Sequence, residues 1–310
     1  MLATSRETRL RSLLLHEAKL LESYAELREW MDGSDRSSAE EQPSETSRGR
    51  GVSGPSRDSH HAGPASLAGP GLLAGHVAAR LGLQPADQQA LFAPAVPRHV
   101  LQGEPLSEEG ETLSSLTVLC SGMAKACRVL ADGSEQIVAI FVAGDMLNAG
   151  DLAFRRARTS IVALTSAIAL SIPIPALRRL MEDRPAIARA LWRETAAQAA
   201  IRQEWMIGLG SRTAEARLAH FLCEMFCRLR PSQPDAGDGV DLPMTQHELS
   251  EVLGLSVVHV NRVLQRLRSA GLVEFNRARL VILDKAGLYA IAEFDEEYLG
   301  ELGLSEAGSC

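Results

Sequence analysis

The chain has 310 residues, enough for two small domains, and a formal net charge of −7 at pH 7. This charge has the wrong sign for a protein that coats nucleic acid, although a local basic patch would suffice to bind DNA. No apolar run approaches the roughly 18 residues of a membrane span, no signal peptide is recognisable, and five unevenly spaced cysteines favour reduced thiols in the cytoplasm over a disulfide framework.

The first 70 residues differ in composition from the rest of the chain. Residues 1–32 carry apolar side chains at helical spacing, which predicts one amphipathic helix that either docks on its own protein or binds a partner helix. Residues 33–70 are rich in Ser, Gly, Pro and charge, and they predict a disordered linker because they bury too little surface to offset the chain entropy. One or two short helices are expected in residues 71–92.

From residue 93 to residue 173, short apolar runs alternate with turns. Five of these runs are predicted to be strands, namely Thr117–Leu119, Met123–Leu130, Gln136–Val142, Ser160–Leu164 and Ala167–Ile172. Short strands at this spacing indicate a β-sandwich or barrel. Cys120 and Cys127 flank a predicted turn in this region, so they are expected either to face each other or to be buried single thiols.

A long helix is predicted for residues 185–209. Four of its apolar residues share one register with a spacing of about 3.5 residues, and they form the candidate dimer seam: Ile187, Leu191, Ile201 and Trp205. Glu194 and Gln198 fall in the same register and make the middle of this seam polar. The alternative is a core helix that packs within one subunit.

A further helix is predicted for residues 211–230, with an apolar stripe that faces a core. His220, Cys223 and Cys227 share the opposite face, at a spacing that would align three zinc ligands. A fourth ligand is missing from the pattern. No metal site is therefore predicted, and both cysteines are interpreted as small buried hydrophobic residues.

Residues 244–283 carry the strongest functional signal in the chain. Thr245 and Glu248 form the Thr-x-x-Glu pattern of a capping box, which predicts the start of a short helix. Gly254 ends this helix, and Ser256 caps a second helix that runs to about Ala270. Two capped helices joined by so short a turn are typical of a DNA-reading hairpin.

The second helix of this hairpin has one apolar stripe, and no acid occurs between Ser256 and Ala270. A helix that enters the major groove needs such a face, because a carboxylate would be repelled by phosphate. Residues 272–275 and 279–283 predict the two strands of a wing. The candidate DNA contacts are Thr245, Ser256, Val258, His259, Asn261, Arg262, Gln265, Arg268, Arg277 and Arg279. The alternative is an ordinary helical hairpin with a solvated basic face.

The run Leu255-Ser256-Val257-Val258-His259-Val260-Asn261-Arg262, followed by Gly271-Leu272-Val273, resembles the Crp/Fnr superfamily of bacterial transcription regulators. The resemblance covers roughly residues 71–294. It is most specific to the branch of the superfamily that has Ser-Val-Val-His-Val-Asn-Arg in the recognition helix. Ser256 and Arg262 match the family's recurrent serine and arginine. Val257 and Val258 replace the Arg-Glu pair of the cyclic-AMP receptor branch, so a different operator sequence is expected.

This resemblance implies an α+β fold with a cyclic-nucleotide-binding-like double-stranded β-roll in residues 71–185. It also implies a dimerisation helix in residues 186–210 and a Crp-type winged helix-turn-helix in residues 211–295. An acidic tail is expected in residues 296–310 and is predicted to be loose. The implied partners are double-stranded DNA, a second copy of the chain and RNA polymerase, with no membrane partner.

The resemblance also predicts where an effector would bind. Gly150, Asp151, Arg158 and Thr159 roughly match the residues that hold the nucleotide in cyclic-AMP-binding members. Asp151 is one methylene shorter than the family's glutamate, and the gap to Arg158 is shortened, so a ligand other than a cyclic nucleotide, or no ligand, is predicted. No cysteine precedes Cys120, which excludes an iron–sulfur cluster of the Fnr type, and no cofactor is assigned.

The sequence therefore predicts a sequence-specific DNA-binding transcription regulator that acts as a dimer on a palindromic site under an unknown effector. The alternative is a ligand-binding interaction module with a vestigial DNA-binding domain, which would act through residues 1–32 and the dimer seam. An enzyme is not predicted, because the sequence shows no phosphate-binding loop, catalytic-triad spacing or strong metal-ligand cluster.

Overall fold

The computed structural model describes residues 81–234 and 236–300 of the protein. The predictions of an N-terminal helix in residues 1–32 and of a linker in residues 33–70 lie outside these residues, as do residues 301–310 of the predicted tail. Among the described residues, every helix is too short or too polar to cross a bilayer.

The N-terminal part of the described chain is an antiparallel β-roll entered through a short helix, α1 (Pro85–Phe92). Its strands are β1 (Val96–Val100), β2 (Pro105–Ser107), β3 (Ser115–Ser121), β4 (Ala124–Val129), β5 (Glu135–Phe141), β6 (Ser160–Ala163) and β7 (Ala167–Pro173). One sheet has the order β1-β7-β3 and the other has the order β2-β6-β4-β5. The predicted β-roll is confirmed, and each of the five predicted strands overlaps an observed one.

The side chains of β3 divide between two apolar clusters on the two faces of its sheet. Leu116, Val118 and Cys120 point into one apolar cluster, whereas Leu119 points into another. This division follows from the two-residue period of a strand, which sends successive side chains to opposite faces. Cys120 therefore packs in a different cluster from Cys127, and the expectation that the two thiols face each other is wrong.

Two helices follow the β-roll, α2 (Ile174–Asp183) and α3 (Pro185–Ser211). Arg184 separates them with φ −133° and ψ 86°, outside the helical region, because the residue before a proline is disfavoured in that region. The 27 residues of α3 give it a length of about 40 Å. This length is enough to reach from the β-roll to the C-terminal domain.

The C-terminal domain packs four helices against a small sheet. Its elements are α4 (Ala214–Leu229), β8 (Gly239–Asp241), α5 (Gln246–Leu253), α6 (Val257–Ser269), β9 (Val273–Asn276), β10 (Arg279–Ile282) and α7 (Lys285–Ala292). The sheet has the order β8-β10-β9. A 3-10 turn at Glu296–Leu299 follows, and its Leu299 is only 2% exposed. The prediction of a loose tail from residue 296 is therefore wrong for residues 296–299.

The β-roll and the C-terminal domain share one apolar core. Met123, Ile137 and Ile140 of the β-roll belong to the same buried cluster as the core of α4, α5 and α6. The β4–β5 hairpin also contacts α5 through polar groups, because the Gln136 side-chain amide donates to the backbone carbonyl of Glu251. The two domains of one chain are thus in direct contact, and α3 packs against both.

Candidate nucleic-acid interface

The two helices of the hairpin begin with side-chain caps. The Thr245 hydroxyl oxygen accepts from the backbone N–H of Glu248 at 3.1 Å, and the Glu248 carboxylate accepts from the backbone N–H of Thr245 at 2.6 Å. The Ser256 hydroxyl oxygen accepts from the backbone N–H of His259 at 3.2 Å. Gly254, with φ 60°, ends α5 in the left-handed conformation. The predicted capping box and turn are therefore confirmed.

The side chains of α6 divide into a buried stripe and an exposed face. Val260, Val263, Leu264 and Leu267 are at most 1% exposed. Successive helical residues turn by about 100°, so the positions opposite this stripe are Val258, Arg262, Gln265 and Ser269. We call these four exposed residues the outer face. Within the described part of the chain, the side chains of Arg262 and Gln265 form no hydrogen bond and no ion pair. Both side chains are therefore available to a ligand.

The flanks of α6 are tied to neighbouring elements. The Asn261 amide donates to the Gln246 side-chain oxygen at 2.5 Å, which links α6 to the start of α5. The Arg268 guanidinium donates to the carbonyl of Phe275 and to the side chain of Asn276, so it fastens the wing to α6. Asn261 and Arg268 were predicted to contact DNA, and the structure gives them these positioning contacts instead of a free side chain.

The wing is the β9–β10 hairpin with a two-residue turn. Arg277 and Ala278 have φ 51° and 69°, the left-handed pair that a type I′ turn requires. Arg277 is exposed at the tip. Arg279, also predicted to touch phosphate, turns back along the chain, where it pairs with Asp241 at 3.5 Å and donates to the carbonyl of Ala236. Arg277 is therefore the better candidate for a phosphate contact.

The predicted dimer seam lies inside the subunit. Ile187 and Leu191 are buried in the core of the β-roll, and Ile201 is buried in the shared core. Trp205 is half-buried and donates its indole N–H to Glu224 at 2.8 Å. Residues buried against their own chain cannot also form an interface with a second copy, so the seam prediction is wrong for Ile187, Leu191 and Ile201.

A second stripe on α3 has the same heptad spacing and faces outward. Its six exposed residues are Trp192, Ala196, Ala199, Gln203, Met206 and Gly210, with alternating steps of four and three residues. Trp192 is 73% exposed and Met206 is 69% exposed. We call this set the outer stripe of α3. Sequence reasoning missed it because its alanines and glycine are weakly apolar, whereas the inner stripe carries isoleucine and leucine.

The candidate effector residues are held on one loop. Gly150 and Asp151 lie in the 3-10 turn Ala149–Ala153, and the Asp151 carboxylate accepts from the backbone N–H of Arg158 at 3.4 Å. The Arg158 guanidinium stacks over the ring of Phe154, 4.8 Å from its centroid. An exposed guanidinium suits the phosphodiester of a cyclic nucleotide. The Asp151 carboxylate contacts the backbone of Arg158 and not its guanidinium, so the loop holds these residues close together without pairing their charges.

A buried ionic network joins the two domains. Arg228 of α4 has a fully buried side chain, and it donates to Asp145 at 2.9 Å, to Glu224 at 2.8 Å and to the carbonyl of Ile140 at 2.8 Å. Burial opposes its charge, but Asp145 and Glu224 together raise the pKa of Arg228 above its usual value. Asp145 and Ile140 belong to the β-roll, so one side chain of the C-terminal domain satisfies buried acceptors of the other domain.

The C-terminal 3-10 turn extends this network. The Tyr298 hydroxyl lies 3.1 Å from Glu224 and 3.1 Å from Nε2 of His220, while Nδ1 of His220 lies 3.2 Å from the carbonyl of Ala292. Burial lowers the pKa of His220, and burial raises the pKa of Cys223 to about 12. His220 therefore uses both ring nitrogens in protein contacts. Within residues 81–234 and 236–300, no group of three metal-ligating side chains is found.

A β-roll coupled by a long helix to a winged helix-turn-helix defines a class of regulators that sense a signal and bind DNA. A cyclic nucleotide-binding domain model matches residues 97–184, and a Crp-like helix-turn-helix domain model matches residues 216–291. The chain belongs to the Crp/Fnr family of transcription regulators.

Relatives and solved structures agree with this assignment. A probable transcriptional activator of Rhizobium leguminosarum bv. viciae is 29% identical over 60% of this chain and 76% of its own length. The transcriptional activator protein FnrA of Stutzerimonas stutzeri is 29% identical over 63% of this chain and 80% of its own length. The structure of FixK2 from Bradyrhizobium japonicum superposes with a TM-score of 0.59 at 25% identity, covering 64% of this chain and 96% of that protein.

Proposed function

We propose that this protein is a dimeric transcription regulator that reads a palindromic DNA site with the outer face of α6. The observation that carries the proposal is this face itself, which is exposed and acid-free and stands between a capped turn and a wing. Arg262 lies at its centre, and arginine pairs bidentately with guanine in the major groove. Arg277 at the tip of the wing would contact phosphate, while Ser256 and His259 border the outer face.

The outer stripe of α3 supports a homodimer. Its small residues would allow two copies of α3 to approach closely, and the exposed Trp192 and Met206 would gain burial in the pair. A two-fold dimer presents two copies of α6, which suits half-sites about 34 Å apart, or one turn of DNA. The polar Gln203 lies within this stripe and would help to fix the register of the pair.

The partners beyond DNA follow from the family and not from a contact within the chain. RNA polymerase is the proposed protein partner, because the relatives are named transcriptional activators. The chromosomal DNA of a bacterium lies in the cytoplasm, which is the proposed location. For the effector we favour a ligand other than a cyclic nucleotide, or none, since Asp151 is one methylene shorter than the family's glutamate and the gap to Arg158 is shortened. An Fnr-type cluster is not proposed, because no cysteine precedes Cys120 in this sequence.

The test is selection of bound sites from a random DNA pool by the full-length protein. Enrichment of an inverted repeat with half-sites one helical turn apart is expected. A second selection at low salt with added cell extract would supply a missing effector and strengthen phosphate contacts. Failure to enrich any sequence in both selections would reject DNA reading and favour an interaction module.

A further inference from the structure

Val258 is the apolar member of the outer face of α6. It is 68% exposed, in the first turn of the helix, and it lies away from the buried stripe. Valine is a poor choice there for folding alone, because a β-branched side chain loses rotamer freedom in a helix and this one gains little burial in return. On this face it is available to an apolar group of a ligand.

The first turn of the second helix is the part of a helix-turn-helix that contacts base edges. An isopropyl group cannot pair with the amino group of cytosine or adenine, nor with the acceptors of guanine. The one apolar group that B-DNA displays in the major groove is the 5-methyl of thymine. The chemistry of Val258 thus selects one of the four bases.

We propose that Val258 is a specificity-determining residue that contacts a thymine methyl in each half-site. The inference rests on the proposed function and deepens it. Residues four apart in a helix are separated by about 6 Å along its axis, close to two base-pair steps. The thymine therefore lies within about two base pairs of the guanine that Arg262 reads.

The matched control is Val257, which precedes Val258 and has the same side chain. It is 37% exposed and lies about 100° around the helix, towards the buried stripe. Its side chain therefore cannot reach the position that Val258 occupies on the outer face. Val257→Ala and Val258→Ala remove the same atoms, so a difference between the two variants reports on position and not on helix propensity or composition.

The experiment measures Kd for the selected site after each thymine is replaced, symmetrically in both half-sites, by deoxyuridine, which lacks the methyl group. One position should weaken binding by the native protein about fourfold for each half-site, or about 15-fold for the pair, the value expected for one buried methyl-sized group. Val258→Ala should bind both DNAs with nearly equal Kd. Val257→Ala should keep the discrimination between thymine and deoxyuridine at this position, whatever its effect at other bases.

A gain of function provides a second arm. Val258→Glu places an acceptor for the cytosine amino group on the same position, so repeated selection should change the preferred base there from thymine to cytosine. The proposal is overturned if deoxyuridine is tolerated at every position, or if Val258→Ala discriminates as the native protein does. In both cases a selected palindrome would still stand, whereas the absence of any selected site would reject the proposed function itself.

Discussion

Single residues of the interface have distinct tasks that charge alone does not reveal. Arg262 and Arg268 are both arginines of α6, yet Arg262 lies on the outer face while Arg268 donates to the wing. Arg266, which points to the side of the helix, pairs with Glu215 of α4 at 3.2 Å. Of these three guanidinium groups, only that of Arg262 is both exposed and without a partner among the described residues.

Arg262→Ala should therefore weaken binding to the selected site by about 1–3 kcal/mol and relax the base preference at one position of each half-site. The physical reason is the loss of a bidentate pair with guanine. Measurement of Kd for the selected site and for single-base variants would test this. Arg266→Ala is the matched control and should leave the base preference unchanged. Equal effects of the two substitutions would contradict the assignment.

His220 gives the protein a predictable response to acid. Burial, followed by the nearby Arg212, lowers the pKa of His220 from 6.5, so the unfolded chain takes up a proton more readily than the folded protein. Its contribution to stability is complete above pH 6.5 and is lost as the pH falls from 6.5 through the lowered pKa of the folded state. His220→Gln should reduce the loss of stability between about pH 7.5 and pH 5.5, as measured by urea unfolding. An unchanged loss would contradict the lowered pKa.

At the scale of elements, α3 carries two stripes of equal spacing. The inner stripe faces the core of its own subunit, and the outer stripe faces away from it. The inner stripe is anchored by Ile187, Leu191 and Ile201, and the polar pair Glu194 and Gln198 is buried with it, joined at 3.1 Å. The outer stripe is left exposed along most of the helix. One helix thus serves both the core of its own subunit and the proposed contact with a second subunit.

Ala199→Glu should convert the dimer into monomers, because it places like charges opposite each other in the middle of the outer stripe. Sedimentation equilibrium of the full chain would measure the change in oligomeric state. Ala199→Ser is the control, since it is small and uncharged and should remain dimeric. A dimer that persists in Ala199→Glu would show that another surface joins the subunits. DNA affinity should fall together with dimerisation, because each monomer reads a single half-site.

At the scale of the whole molecule, Arg228 ties the folding of the two domains together. Its guanidinium is the shared partner of Asp145 in the β-roll and Glu224 in α4, and all three side chains are fully buried. A buried ion pair adds little when compared with an apolar pair, but the removal of one partner leaves a buried charge without compensation. The relative position of the domains therefore depends on this residue.

Arg228→Met should lower the free energy of unfolding by about 3–5 kcal/mol, since Asp145 and Glu224 would lose their cationic partner. Urea unfolding followed by tryptophan fluorescence would measure it. The control is Arg128→Met, which removes an exposed pair with Glu109 at 3.3 Å and should change stability by about 1 kcal/mol or less. Similar losses in the two variants would contradict the role of the buried network.

The sequence by itself determined the local features of the interface. The caps at Thr245 and Ser256, the left-handed Gly254 and the strand alternation of the β-roll each depend on residues within a few positions of one another. Such short-range hydrogen bonds and periodicities are written in consecutive residues, so they were predictable. The recognition helix followed from them, whereas the β-roll was predicted from the family resemblance.

Only the tertiary structure decided which side of α3 faces the core, which basic side chains of α6 remain free and where Arg228 finds its partners. Spacing alone cannot tell the inner stripe of α3 from the outer stripe, because both have the same period. Which stripe is buried depends on contacts with residues far away in the chain. Arg268 is free or bound depending on the fold of the wing. Arg228 lies 83 residues from Asp145, and no local pattern relates positions at that separation.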